Sequence, residues 1–85
     1  MILTVVWLPE SENRLAELWN NATDRQTIAD AANWIDEALR SNALKMVTRV
    51  DDLYFLRRDS LLVLCEIDVD DRVVRVIDVR VVESE

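Results

Sequence analysis

Few side chains in this sequence can do chemistry, and their types limit what that chemistry could be. Among 85 residues there is no histidine, one cysteine and one tyrosine. Without histidine, the commonest general base and the commonest zinc ligand are both missing. Cys65 lies in the apolar run Leu64-Cys65-Glu66-Ile67, with no basic residue beside it. A nucleophilic thiol needs an electropositive setting, so Cys65 reads as a buried structural thiol. What remains is a group of arginines spaced along the second half, Arg57, Arg58, Arg75 and Arg80, with Tyr54 close to the first two. These five residues are the candidates for a partner-binding surface. A plainer reading stands beside that one: Arg75 pairs with Glu66, Arg57 and Arg58 mark a solvated strand end next to Asp59, and Arg80 neutralises Asp78. No catalytic residue, metal ligand or cofactor site is expected. Glycine is absent altogether, which excludes the phosphate loops of nucleotide-binding proteins, where the backbone must approach the ligand closely.

Net charge narrows the partners further. The chain carries 17 acids and 10 bases, for −7. Residues 1–42 hold seven acids and three bases, the remainder ten and seven, so neither half is basic. Nucleic-acid binding draws most of its affinity from phosphate neutralisation, and this chain lacks the field for it. No apolar run reaches the length needed to cross a bilayer. The opening Met1-Ile-Leu-Thr-Val-Val-Trp-Leu-Pro9 has neither a basic leader nor a small-residue cleavage site, so it reads as a strand rather than a signal peptide. One cysteine gives no disulfide framework, which suits a reducing, cytoplasmic setting.

The elements that would position the arginines follow from periodicity. Eighty-five residues make a single domain, 1–85. Residues 2–8 form a strand rich in β-branched and aromatic side chains, closed by Pro9. A helix follows over 10–21, with Leu15, Leu18, Trp19 and Ala22 on one stripe. Thr23-Asp24-Arg25-Gln26 fits a capping box, with Thr23 as N-cap and Gln26 reaching back. The second helix carries Ile28, Ala31, Ala32, Ile35, Ala38 and Leu39 on its stripe and stops near Asn42. Trp34, off the centre of that stripe, is expected to cover the edge of the core. Residues 43–52 are poorly marked, with 46–50 extended. Then comes a three-stranded antiparallel meander over 53–82, with turns at Asp59-Ser60 and Asp70-Asp71.

Two-residue loops set Leu56 opposite Val63, Phe55 opposite Leu64, Glu66 opposite Arg75, Leu64 opposite Ile77 and Leu62 opposite Val79. That register puts Leu53, Phe55, Arg57, Leu62, Leu64, Glu66, Arg75, Ile77 and Val79 on one face. The other face receives Tyr54, Leu56, Arg58, Leu61, Val63, Cys65, Ile67, Val74, Val76, Asp78 and Arg80. Both faces are mainly apolar, yet two helices can cover only one. The uncovered face predicts a protein partner. The expected fold is therefore α+β, in the order β-α-α-β-β-β, with an antiparallel two-helix hairpin packed on one face of a mainly antiparallel four-stranded sheet.

That order, with the segments Leu53-Tyr-Phe-Leu-Arg57, Asp59-Ser-Leu-Leu-Val-Leu-Cys-Glu-Ile-Asp68 and Asp71-Arg-Val-Val-Arg-Val-Ile-Asp-Val-Arg80, resembles the RelE/ParE toxins of bacterial type II toxin–antitoxin systems. The likeness covers nearly the whole chain. In the ribosome-dependent RNase branch, an arginine in the middle meander strand and a tyrosine three residues on are typical; here those positions hold Leu62 and Cys65. That branch also uses basic residues in the preceding segment, where this chain has Lys45 and Arg49 beside Asp51 and Asp52. It often ends in a basic segment, where this chain ends Val81-Val-Glu-Ser-Glu85. The sequence is closer to the ParE branch, whose members resemble poisons of DNA gyrase acting by protein contact. The resemblance implies a toxin component, or a protein derived from one, of a plasmid-stabilisation type of system, neutralised by a cognate antitoxin. A non-toxic homodimeric interaction module on the same fold is the alternative, and a ribosome-dependent mRNA endonuclease the third and least favoured reading.

Overall fold

Residues 2–82 are described in the computed structural model of the chain. The elements are β1 (Thr4–Trp7), α1 (Pro9–Asn21), α2 (Arg25–Met46), β2 (Thr48–Val50), β3 (Leu53–Arg58), β4 (Leu61–Asp68) and β5 (Val73–Val81). One five-stranded sheet runs in the order β1-β5-β4-β3-β2. β1 lies parallel to β5, and every other pairing is antiparallel. The α+β class and the helical hairpin are as expected. The sheet has a fifth strand because the poorly marked segment folds back as β2, pairing Thr48 with Phe55 and Val50 with Leu53. Three residues, all exposed, leave little apolar periodicity to read.

Pro9 begins α1, where its missing N–H costs nothing, and Glu10 and Glu12 face the positive end of the helix dipole. The cap of α2 differs from the expected box. Asp24, not Thr23, is the N-cap: its Oδ1 accepts from the Thr27 N–H at 3.1 Å and its Oδ2 from the Thr27 hydroxyl at 2.7 Å. Gln26 turns away and donates to Asp30 (2.8 Å). An aspartate one residue inside the threonine offers the same acceptor for the N3 N–H, but with Thr27 at N3 no glutamine reaches back to close a box. The regular helix breaks at Asn42 (φ −140°, ψ 32°), where a stop was expected, and a further short helical stretch follows across the kink to Met46.

Ile35 and Leu39 of α2 pack onto Leu61, Val63, Cys65, Val74, Val76 and Val79 of the sheet, all fully buried. Trp34 is half-buried against this core, as expected. α1 packs chiefly over β5, and α2 over β3 and β1. The β3–β4 register matches the expectation, with Leu56 opposite Val63. In β4–β5 it holds only near the turn, where Glu66 faces Arg75. Between Leu64 and Cys65 the register shifts by one, so Leu64 faces Asp78 and Leu62 faces Arg80. The cause is a β-bulge, which inserts one unpaired residue and moves every later side chain to the opposite face. Val79 is thereby buried under the helices, whereas Asp78 and Arg80 join the outer face.

Without glycine, the tight turns use other residues at positive φ: Asp51 and Asp59 at 54° and Arg72 at 56°. Aspartate tolerates this conformation through local hydrogen bonding, but arginine has no such compensation. Replacing Arg72 with glycine is therefore expected to raise unfolding free energy by up to about 1 kcal/mol. Urea denaturation of Arg72→Gly against the parent checks this; a loss of stability would mean that the Arg72 side chain contributes more than its backbone costs.

Candidate functional site

The side of the sheet away from the helices is where partner-binding chemistry would have to sit. Strand alternation places Phe55, Leu62, Leu64 and Ile77 there, and β1 extends the surface with Val6, which is 40% exposed. Val6 was not among the outer residues expected from the meander alone. It joins because β1 pairs in parallel with β5, setting Val6 beside Arg75.

The five candidate residues divide between the two faces. Arg57, Arg75 and Arg80 lie on the outer face. Tyr54 is half-buried against the core on the helix side. Arg58 also turns to that side, with its guanidinium 4.5 Å from the centre of the Trp34 ring, a cation–π contact. The plainer reading of the arginines holds in part. Arg80 Nε donates to Asp78 Oδ2 at 2.9 Å, and that contact holds the Asp78 carboxyl below its usual range. Arg57 Nε donates to the Asp59 carbonyl at 2.9 Å, so it is fixed at the turn while keeping its charge. Arg75 and Glu66 are register partners, yet they form no ion pair within 4 Å among the described residues. Arg75 is thus a half-buried cation beside an apolar surface with its counter-charge not engaged.

Leu62 and Cys65, the two positions where the RNase branch carries arginine and tyrosine, do not share a surface. Side chains three apart on a strand point to opposite faces. Leu62 lies on the open face, whereas Cys65 is buried in the core, where desolvation pushes its thiol up to about 11. Of the basic residues in the preceding segment, Lys45 ends α2, and Arg49 donates from Nε to the Asp51 carbonyl at 2.9 Å. No cluster of three or more metal-ligating side chains occurs among the described residues. No helix among them is long and apolar enough to cross a membrane.

Comparison with solved structures assigns the architecture. The RelBE2 toxin–antitoxin complex from Mycobacterium tuberculosis superposes with a TM-score of 0.77 at 18% identity, over 95% of this chain and 92% of that one. The chain has the RelE/ParE fold. The archaeal RelE–RelB complex from Pyrococcus horikoshii gives 0.72 at 14% identity, covering 95% and 96%. The chromosomal ParDE system of P. aeruginosa gives 0.71 at 10%, covering 96% and 98%. No protein-family model matches the sequence, and no curated protein matches it significantly. At these identities the RelE/ParE likeness is one of backbone, and the side chains of the outer face must be read on their own terms.

The thiol gives a direct check on that reading. Cys65 is expected to react with a disulfide-exchange reagent at pH 8 at least a hundredfold more slowly in the folded protein than in urea, since it is both buried and protonated there. Comparable rates in the two states would show that the helix layer does not seal this face.

Proposed function

We propose that the chain is a ParE-like toxin component, or a protein derived from one, of a type II toxin–antitoxin system, acting by protein contact in the cytoplasm. The observation that carries this reading is the outer sheet face, where Phe55, Leu62, Leu64 and Ile77 lie among Arg57, Arg75 and Arg80, with Glu66 and Asp78 beside them. The solved structures that share this fold include complexes described as toxin–antitoxin and RelE–RelB.

Such a face suits the apolar and acidic tail of an antitoxin. Phe55, Leu62, Leu64 and Ile77 would take apolar side chains. Arg75 and Arg57 would take carboxylates, with Arg75 gaining most because its neighbours already exclude part of the solvent. RNA cleavage by a site of this kind would need groups that stabilise developing negative charge and move protons. Leu62 supplies neither, and the Cys65 thiol is out of reach. DNA gyrase is the target that a ParE-like reading implies, within a plasmid-stabilisation type of system.

Induced expression in a bacterium, with mapping of mRNA ends, tests the proposal. Growth is expected to stop without codon-periodic cleavage of ribosome-bound mRNA, and Leu64→Glu combined with Arg75→Glu is expected to restore growth. Purified protein is expected to inhibit DNA supercoiling by gyrase. Periodic cleavage would establish the RNase reading instead. Unimpaired growth would overturn the toxin reading in favour of an interaction module, and a dimeric mass in solution would then identify a second copy as its partner.

A further inference from the structure

The sheet has two edges, and they are finished differently. β2 closes one of them. It is three residues long with Arg49 at its centre, and Arg49 donates to the Asp51 carbonyl at 2.9 Å. A second β2 laid antiparallel against it would set arginine against arginine, a common guard on an exposed edge. β1 forms the other edge, and residues 2–8 carry no charge and no proline. Its pairing with β5 is continuous, so no bulge turns it away from an incoming strand.

The parallel ladder fixes which backbone groups of β1 face inward. The Thr4 and Leu8 N–H groups donate to the Arg72 and Val76 carbonyls at 2.8 and 3.1 Å. Alternation then turns the N–H and C=O groups of Leu3, Val5 and Trp7 away from β5. Accordingly, the Leu3 N–H donates to the Arg40 carbonyl of α2 at 2.9 Å, just before the break at Asn42. α2 thus caps one donor of the edge and stops there. The Val5 and Trp7 N–H groups have no acceptor among the described residues.

We propose that β1 is a self-association edge, at which a second copy of this chain adds its own β1 antiparallel across a two-fold axis through Val5. Donors and acceptors match on that axis. Each Val5 exchanges both of its bonds with the Val5 of the other copy, and each Trp7 N–H meets a Leu3 carbonyl. The one donor left out is the Leu3 N–H, which Arg40 already satisfies. Pro9, with no N–H to give, stays outside the paired stretch. Thr4 then lies opposite the other copy's Val6 on the outer face. Val6 is 40% exposed and Ile2 77% exposed, so the pairing covers apolar area that the single chain leaves in solvent.

Two copies of a chain with net charge −7 repel each other, so they need charge-free ground to meet. β1 supplies it, and the charged α2 residues bonded to it, Asp36 and Arg40, neutralise each other at 2.6 Å. This match of the edge with itself, in hydrogen bonds and in missing charge, selects a second copy over a foreign strand. The dimer joins two five-stranded sheets into one and leaves Phe55, Leu62, Leu64 and Ile77 open. It is therefore independent of the partner proposed for the outer face.

Sedimentation equilibrium on the full chain is expected to show a monomer–dimer equilibrium between about 1 and 500 µM, the range of small interfaces. The Val5 amide is expected to exchange with solvent at least about tenfold more slowly at the high concentration than at the low one. Thr4→Lys with Val6→Lys is expected to give a monomer, and so is Thr4→Glu with Val6→Glu. Mixing these two variants is expected to restore a dimer of one copy each, because the register sets lysine opposite glutamate. Circular dichroism confirms that both fold, and the Val5 exchange needs no variant. Leu64→Glu, on the outer face, is expected to leave the dimer intact. A monomer at every concentration, a Val5 amide indifferent to concentration, no recovery on mixing, or loss of the dimer in Leu64→Glu would each overturn the proposal.

Discussion

The pairing of β4 with β5, and the one-residue shift within it, decides how the rest of the molecule is arranged. These are the two longest strands, and they form the centre of the sheet. From Asp68 to Cys65 they pair in one register, and from Leu64 to Leu61 in another. The shift lets both Val76 and Val79 point into the core, three residues apart on a strand where strict alternation would send one of them outward. It also exposes Asp78 and Arg80 where they can pair with each other instead of being buried. The carbonyl of Val76, beside the shift, lies 2.8 Å from the Ser11 hydroxyl and accepts from the Leu8 N–H at 3.1 Å. Among the described residues Ser11 is the one buried polar side chain, and it ties the start of α1 to this point of the sheet. A single backbone irregularity thus lets the far half of β5 share the inner and outer faces already set by the near half, and it lies beside the point where the first helix is anchored.

The consequence is a sheet with unequal faces. The inner one is closed by Ile35, Leu39 and their neighbours. The outer one is not covered by the helices, and its apolar residues Phe55, Leu62, Leu64 and Ile77 are half-buried among arginines and their acidic neighbours Glu66 and Asp78. A negatively charged protein that retains such a surface meets solubility through its acids and keeps the apolar area free for association.

Much of this was legible in the residues. The 3.6-residue stripes of α1 and α2 and the alternation of β3 and β4 were strong because each buries one side. Asp59-Ser60 marked the first hairpin because aspartate accepts turn geometry in a chain without glycine, whereas the second loop takes four residues, 69–72, instead of the expected two, and puts Arg72 at positive φ. What was missed was the bulge: the charged residues Arg75, Asp78 and Arg80 are spaced three and then two apart, so they share one face only if a residue is inserted between the first two, and strict alternation sent Asp78 and Arg80 to the other side. β2 was hidden for a different reason, being too short and too exposed to show a period. Among the proposed binding residues, Arg57 and Arg75 were read as sharing one face, and the structure leaves that face without helices, a choice the sequence alone did not make. Arg80, beyond the bulge, changed sides, and the stacking of Arg58 on Trp34 needed the helix position as well as the strand.

The claim that one face is sealed and the other open, divided by the bulge, is tested most directly by methyl NMR with a soluble paramagnetic probe. Leu62, Leu64 and Ile77 methyls are expected to broaden strongly in the isolated chain, while those of Val63, Val76 and Val79 remain sharp. Broadening of Val79 together with Leu62, or equal protection of both sets in a monomer, would contradict the account.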